Sequence, residues 1–271
     1  MPELPEVETT RRGLEPHLVG RRIRDVVVRN PNLRWPVTRD LRRRLQGEQV
    51  LAIRRRGKYL LFDCHRGHLL VHLGMSGRLT IVGDAAPARI HDHVDVMIEG
   101  EKRLRLTDPR RFGAMLWING AAERHALLRG LGLEPLEPGF DGAALQRLAK
   151  GRRVAVKQFL MNGRLVTGVG NIYASEALFR AGIHPLRSVA RISARRWDRL
   201  AIAVRETLER ALAAGGTTLR DFARADGEPG EFQAECAVYG REGLPCVACG
   251  APVRALRQGQ RSTFYCPGCQ R

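Results

Sequence analysis

Four cysteines near the C-terminal end, Cys246, Cys249, Cys266 and Cys269, are spaced C-x2-C-x16-C-x2-C, and no other feature restricts the local fold so tightly. Each C-x2-C pair can aim two thiolates at one tetrahedral ion, and the spacer suits a β-hairpin between two knuckles. A segment shorter than about 40 residues buries too little apolar surface to fold alone, so a bound metal would supply the folding energy. Disulfides and a rubredoxin-like iron are the alternatives. The start MPELPEVE is acidic and proline-broken and lacks a secretion signal, which argues against disulfides. One structural zinc ion is the expected cofactor. The other two cysteines, Cys64 in LFDC and Cys236 in AECAV, have no ligand-type neighbours and read as small buried apolar residues. A zinc ribbon defines a module and does not by itself identify a reaction.

The rest of the chain changes period once. Its 271 residues suggest two domains with room for a small third module. The segment from Glu3 to Leu18 carries apolar residues at Leu4, Val7, Leu14 and Leu18, with carboxylates first and Arg11 and Arg12 later, as a helix macrodipole prefers. Short segments of β character follow: Ile23–Val28, Val50–Ile53, Tyr59–Asp63, His68–His72, Arg78–Val82, Val94–Ile98, Arg103–Thr107 and Ala114–Ile118. With glycines between them and no intervening helices, they predict a sandwich or a barrel. LRGLGLEPLEPGFD, ending at Asp141, reads as a linker. Beyond it the period is helical. Trp197, Leu200, Ala201, Val204, Leu208 and Leu212 share one face ahead of Gly215-Gly216, a shorter helix spans Ile172 to Ala181, and about four helices are expected between Asp141 and Gly216.

Charge then selects a partner. Lys and Arg total 46 against 28 Asp and Glu, a net charge of +18, and all but four of the cations are arginine. Such a field attracts a polyanion, and guanidinium groups bind phosphate in a bidentate manner, although a genomic preference for arginine codons would give the same composition. A hydrophobic fraction of 44% excludes wholesale disorder, and no apolar run approaches the roughly 18 residues of a membrane span. A soluble, intracellular nucleic-acid-binding protein is the expectation.

At the N-terminus, Met1 precedes a small residue, Pro2, so removal of the methionine would expose a secondary amine beside Glu3 and Glu6. A neutral amine can attack an aldehyde-like carbon and form an iminium, and an α-amino group titrates near ~8, so a useful fraction is neutral at physiological pH. A carboxyl with a raised pKa could protonate a leaving oxygen. The residues alone favour a plain role for Pro2 as a helix start.

Five motifs in register lend weight to the chemical reading: MPELPEVE at the start, HLGMSG at 72–77, TDPRRFG at 107–113, GVGNIYASE at 168–176, and QRSTFYCPGCQ in the tail. Together they resemble the bacterial formamidopyrimidine-DNA glycosylase/endonuclease VIII family over essentially the whole chain. Leu4 in PELPE and the intact DPRRFG favour the formamidopyrimidine branch. The resemblance implies an α+β multidomain protein: an N-terminal helix plus an eight-stranded β-sandwich (1–120), a linker (121–140), a helix–two-turns–helix DNA-binding domain (141–235) and a zinc ribbon (236–271). It implies a bifunctional glycosylase and abasic-site lyase of base excision repair, acting on oxidised purines in double-stranded DNA as a monomer in the bacterial cytoplasm, associated with the nucleoid. A pyrimidine-specific sister enzyme and a non-catalytic zinc-ribbon DNA-binding protein are the alternatives.

The same resemblance implies residue roles. Pro2 is the nucleophile, Glu3 the proton donor and shuttle, Lys58 the lysine of β-elimination, and Arg261 the arginine of δ-elimination and of the lesion's phosphate. Met75, Arg110 and Phe112 match an intercalating trio that fills the void left by an extruded base, a step that costs a few kcal/mol. Asn171 follows GVG at a helix N-terminus, where backbone N–H groups and the dipole favour phosphate. His72, His91, Arg152, Lys157 and Tyr239 match further DNA-contacting positions. Glu6 falls near the lesion, while Thr217 and Thr218 open a substrate-binding lid, TTLRDF, that closes over the flipped purine. One departure is LMNG, where Asn162-Gly163 replace the family's usual Asp-containing pair. Intact-mass measurement of the mature chain should show it lighter by one methionine residue; retained Met1 would make Pro2 an amide and exclude iminium chemistry.

Overall fold

The computed structural model describes residues 2–217 and 232–271, divided between two compact units. The described residues of the first are 2–129 and 214–217; those of the second are 130–213 and 232–271. Met1 and Thr218, with the rest of the expected lid through Phe222, lie outside the described residues.

In the first unit, helix α1 (Leu4–Leu18) starts with a reciprocal capping box between Glu3 and Glu6, which satisfies N–H groups the first turn would otherwise leave orphaned. Strands β1 (Ile23–Val28), β6 (Asp92–Ile98), β7 (Lys102–Thr107) and β5 (Arg78–Gly83) form one sheet in that spatial order. Strands β2 (Ala52–Arg56), β3 (Tyr59–Asp63), β4 (His68–His72) and β8 (Ala114–Ile118) form the other, with every neighbouring pair antiparallel. The sandwich is therefore the correct one of the two all-β expectations. Its core interleaves Val26, Val94, Val96 and Leu104 of one sheet with Ile53, Leu60, Phe62, Val71 and Met115 of the other, and Val7, Leu14 and Leu18 of α1 join them. Each such side chain contributes about 1.5–3 kcal/mol when fully buried.

Two elements differ from the sequence expectation. Strand β2 runs on through Arg54, Arg55 and Arg56, which pair with Leu61, Leu60 and Tyr59 of β3. The apolar pattern stops at Ile53 because these positions hold charges, and the charges find partners: Arg54 pairs with Asp63 and Arg55 with Glu8 on α1. The short helix α2 (Leu41–Leu45) has only one turn, too little for a period to show, and is held by its two buried leucines.

The second unit contains α3 (Gly142–Ala149), α4 (Val156–Leu160), α5 (Asn171–Arg180) and α6 (Ala194–Ala213). Asp141 caps α3, its carboxylate accepting from Ala144 N at 2.7 Å. The face of α6 read from the sequence is buried at Trp197, Leu200, Ala201, Val204 and Leu208, and Trp197 packs on Phe159 of α4 at 5.5 Å between ring centroids. The tail supplies the hairpin β9 (Arg254–Gln258) and β10 (Arg261–Tyr265), and β10 packs on α5. Among the described residues no helix is long and apolar enough to cross a membrane.

On β6, Asp95 is fully buried among Arg105, Arg29 and Arg103, at 2.9, 2.7 and 3.1 Å. Burial alone would raise its pKa, but hydrogen bonds from these arginines prevail and hold the carboxyl well below the usual range. A carboxyl depressed in the folded state stabilises above its unfolded pKa of ~3.9 and loses that contribution as pH falls towards the folded value. Asp95→Asn should therefore cost about 3 kcal/mol at pH 7, since it strands three guanidinium groups. The wild type should also lose more stability than this variant on acidification below about pH 4. Urea unfolding across that range checks both; parallel pH profiles would refute the assignment.

Candidate active site and nucleic-acid interface

The first cluster forms at the start of α1. Pro2, Glu3 and Glu6 are all buried, and the Glu6 carboxylate accepts from two backbone groups, Glu3 N and Thr217 N, each at 2.8 Å. The structure thus brings Glu6 and Thr217 together. Glu6 orients the peptide that follows Pro2 and anchors the chain at 217, a positioning task rather than one of solvent-facing chemistry.

Lys58 is half-buried at the tip of the β2–β3 hairpin, where Gly57 takes a φ of +57° and permits the two-residue turn. On the neighbouring strand, His72 lies against Tyr59 at 4.7 Å and Trp35 at 6.2 Å between ring centroids. Its Nδ1 accepts from Gly74 N at 3.1 Å, so the neutral ring carries its proton on Nε2. Burial, followed by the charges of Lys58 and Arg34, lowers the His72 pKa to about 4, and the ring stays neutral at physiological pH. His72 can therefore donate one hydrogen bond to an anion without bringing a second charge beside Lys58.

Beyond His72 the chain turns at Gly74, and a second turn follows β7. Met75 is half-buried on the first turn, and Arg110 and Phe112 are exposed on the second. The Arg110 guanidinium lies 4.8 Å from the centroid of the Phe112 ring, a cation–π contact open to solvent. His91 is also exposed, and its carbonyl accepts from Asp108 N at the base of the second turn.

In the second unit, Asn171 occupies the first position of α5. Its side-chain oxygen accepts from Lys157 Nζ at 2.7 Å, and its amide donates to Ser262 O at 3.0 Å and to Tyr239 Oη at 3.4 Å. Lys157, almost fully buried, also donates to Thr263 Oγ1 at 2.8 Å. Arg261, exposed at the start of β10, is next to Ser262 in this arrangement. Asn171, Lys157 and Tyr239 thus meet at one helix N-terminus, a place suited to phosphate. Arg152 is exposed just beyond α3, and its Nε donates to Leu148 O, closing the C-terminal end of that helix.

Three residues escaped the sequence reading. Glu176 on α5 is fully buried and accepts from the backbone N–H groups of Ala237, Val238 and Tyr239 at 2.9, 3.0 and 2.8 Å, setting the position of Tyr239. Its signal was a lone carboxylate within the apolar run of GVGNIYASEAL. Ser76 and Asp108 are the others, buried polar residues inside HLGMSG and TDPRRFG.

The four tail thiols fit zinc. Their sulfurs all lie within 4.8 Å of one another, with Cys246–Cys269 at 3.9 Å and Cys249–Cys266 at 3.4 Å. A tetrahedral site with Zn–S bonds of about 2.3 Å requires sulfurs about 3.8 Å apart. Burial disfavours the Cys246 thiolate, yet the N–H groups of Ala248 and Cys249 outweigh it and lower the thiol to about 7. Cys269 is pushed up to about 12, first by hydrogen bonding with Cys249 and then by burial, so a cation is needed to hold all four as thiolates. By contrast, burial pushes Cys64 and Cys236 up to about 12, as inert core thiols require.

Comparison with known proteins places each part. Family models described as the formamidopyrimidine-DNA glycosylase N-terminal domain, the formamidopyrimidine-DNA glycosylase H2TH domain and a zinc finger found in FPG and IleRS match residues 1–115, 131–223 and 243–271. A formamidopyrimidine-DNA glycosylase of Methylococcus capsulatus is 56% identical over 271 residues, covering 100% of both chains. Among solved structures, the MutM (Fpg) protein of Thermus thermophilus is 42% identical with a TM-score of 0.89, covering 99% of this chain and 98% of that one. A Lactococcus lactis Fpg mutant in complex with Fapy-dG-containing DNA is 32% identical with a TM-score of 0.92 over 100% of both. The wild-type Lactococcus protein is also solved with DNA containing an oxidised pyrimidine, again 32% identical with a TM-score of 0.91 over 100% of both.

The tail predicts its own test. Among the described residues its buried core is Val238, Cys246, Val253 and Cys266, with Phe179, Ala251, Phe264 and Cys269 alongside. Removing the ion with a chelator should abolish hydrogen-exchange protection across 243–271 while β3 and β4 stay protected; protection retained in the stripped tail would contradict a metal-dependent fold.

Proposed function

The chain belongs to the formamidopyrimidine-DNA glycosylase family, and from that premise we propose that it removes oxidised purines from double-stranded DNA and then cuts the strand. The observation that carries the reading is the buried start of α1, where Pro2, Glu3 and Glu6 sit at a capped helix terminus and Glu6 accepts from Glu3 N and Thr217 N. Once Met1 is removed, the Pro2 amine attacks the anomeric carbon of the damaged nucleoside. The bond to the base breaks as the new C–N bond forms, the base leaves with a proton, and the opened sugar is left as an iminium. Glu3 delivers and removes protons around the sugar. Loss of a proton from the adjacent carbon expels the 3′ phosphate by β-elimination, assisted by Lys58. δ-Elimination then expels the 5′ phosphate with help from Arg261, and hydrolysis frees the proline.

DNA is held without reading its sequence. Asn171, Lys157, Tyr239 and Arg261 hold phosphate in the second unit, while His72 and Lys58 do so in the first, with Arg152 and His91 further out. Met75, Arg110 and Phe112 enter the helix where the damaged nucleotide leaves it. Thr217 and Thr218 begin the segment that covers the extruded base. The domain assignment follows the same reading: sandwich, linker, helix–two-turns–helix and zinc ribbon, with zinc holding the last in shape. The protein acts as a monomer at the bacterial nucleoid. A second reading, action on oxidised pyrimidines, draws on the relative solved with such a lesion.

Borohydride should trap a covalent protein–DNA adduct on Pro2 when 8-oxoguanine lies opposite cytosine; intact binding with no adduct would leave only a DNA-binding protein. Excision of 8-oxoguanine should exceed excision of oxidised thymine, and the reverse order would favour the sister branch.

A further inference from the structure

Met75 and the pair Arg110–Phe112 stand on two separate turns, 32 residues apart at Ser76 and Asp108. A wedge that forces open a base stack must act as one body, because a loose turn would relax instead of transmitting force. We propose that Ser76 and Asp108 form a buried clamp that locks these two turns together, making both positioning residues for base extrusion. The inference rests on the reading of Met75, Arg110 and Phe112 as that wedge.

The clamp is continuous. Asp108 is fully buried; one carboxylate oxygen accepts from Ser76 Oγ at 2.7 Å and the other from Gly113 N at 2.8 Å. Ser76 Oγ in turn accepts from Arg110 N at 3.1 Å. The bonded atoms belong to Arg110 itself and to the residues that directly follow Met75 and Phe112, so each wedge side chain is fixed at its base. The Asp108 carbonyl accepts from His93 Nε2 at 2.7 Å and from Arg111 N at 3.2 Å, and Arg111 holds a left-handed φ of +57°. A side chain of this type reaches that region only when surrounding bonds impose it. The two turns also touch directly: a Cβ on Gly74 would lie 2.4 Å from the Phe112 carbonyl carbon, so only glycine allows this approach. Charge-assisted hydrogen bonds in a buried site are short and directional, which suits them to rigid positioning.

The experiment compares two reactions of the full-length protein under single-turnover conditions. Excision of 8-oxoguanine from duplex DNA requires extrusion of a stacked base, whereas cleavage at a preformed abasic site has no base to extrude. Ser76→Ala and Asp108→Asn should each slow excision at least about tenfold, the equivalent of one such hydrogen bond, and leave abasic-site cleavage within about threefold. Combining Ser76→Ala with Phe112→Ala should slow excision little beyond Phe112→Ala alone, because both act through the same wedge. Equal loss of both reactions, loss of folding in both single variants by thermal melting, or unchanged excision would overturn the clamp. Phe112→Ala separates the two levels. If it slows excision while the Ser76 and Asp108 variants do not, the clamp alone fails. If it has no effect, the wedge reading fails and takes the clamp with it.

Discussion

The Glu6 carboxylate, buried at the first turn of α1 and bonded to Glu3 N and Thr217 N, is the interaction on which the geometry of the N-terminus depends. A nucleophile at a chain terminus would normally be frayed and solvated. Here the terminus is the start of a helix packed into the sandwich through Val7, Leu14 and Leu18. The capping box fixes the peptide beside Pro2, and the same carboxylate reaches a residue more than 200 positions away, at the threshold of the segment assigned to the flipped base.

The device recurs. Asp108 bonds Gly113 N below the wedge, and Glu176 bonds three successive amides ahead of Tyr239. In each case a buried carboxylate fixes backbone beside a residue that the proposed function assigns to DNA. This also bears on electrostatics. Among the described residues the buried ionisable groups include eight carboxyl side chains but only three Lys or Arg. The surface presented to DNA is therefore more basic than the net charge of +18 suggests.

Much of the architecture was readable in advance because it rests on periodicity. Strands β3, β4 and β8 have the expected bounds, and the α6 face is the expected one, since a short buried apolar run or a helically spaced apolar face leaves a direct trace. The misreadings have an equally physical origin. Within the extension of β2, Arg54 pairs with Asp63 across the hairpin and Arg55 with Glu8 on α1, and the apolar pattern encodes neither partner. The site was legible as motifs, but not as contacts. MPELPEVE, HLGMSG and TDPRRFG named the residues without revealing that Glu6 is an anchor or that Ser76 meets Asp108, and nothing local showed that Arg152 bonds the end of the preceding helix.

What the sequence determined by itself was everything that depends on residue type and short spacing. This includes the four-thiol site, the sandwich followed by helices and the polyanionic partner. Only the tertiary structure decided which polar residues hold others in place, because a hydrogen bond between residues 32 or 211 apart exists only after the sheets have packed. It also decided the state of His72. Its pKa of about 4 follows from burial beside Lys58 and Arg34, an environment that no stretch of sequence contains.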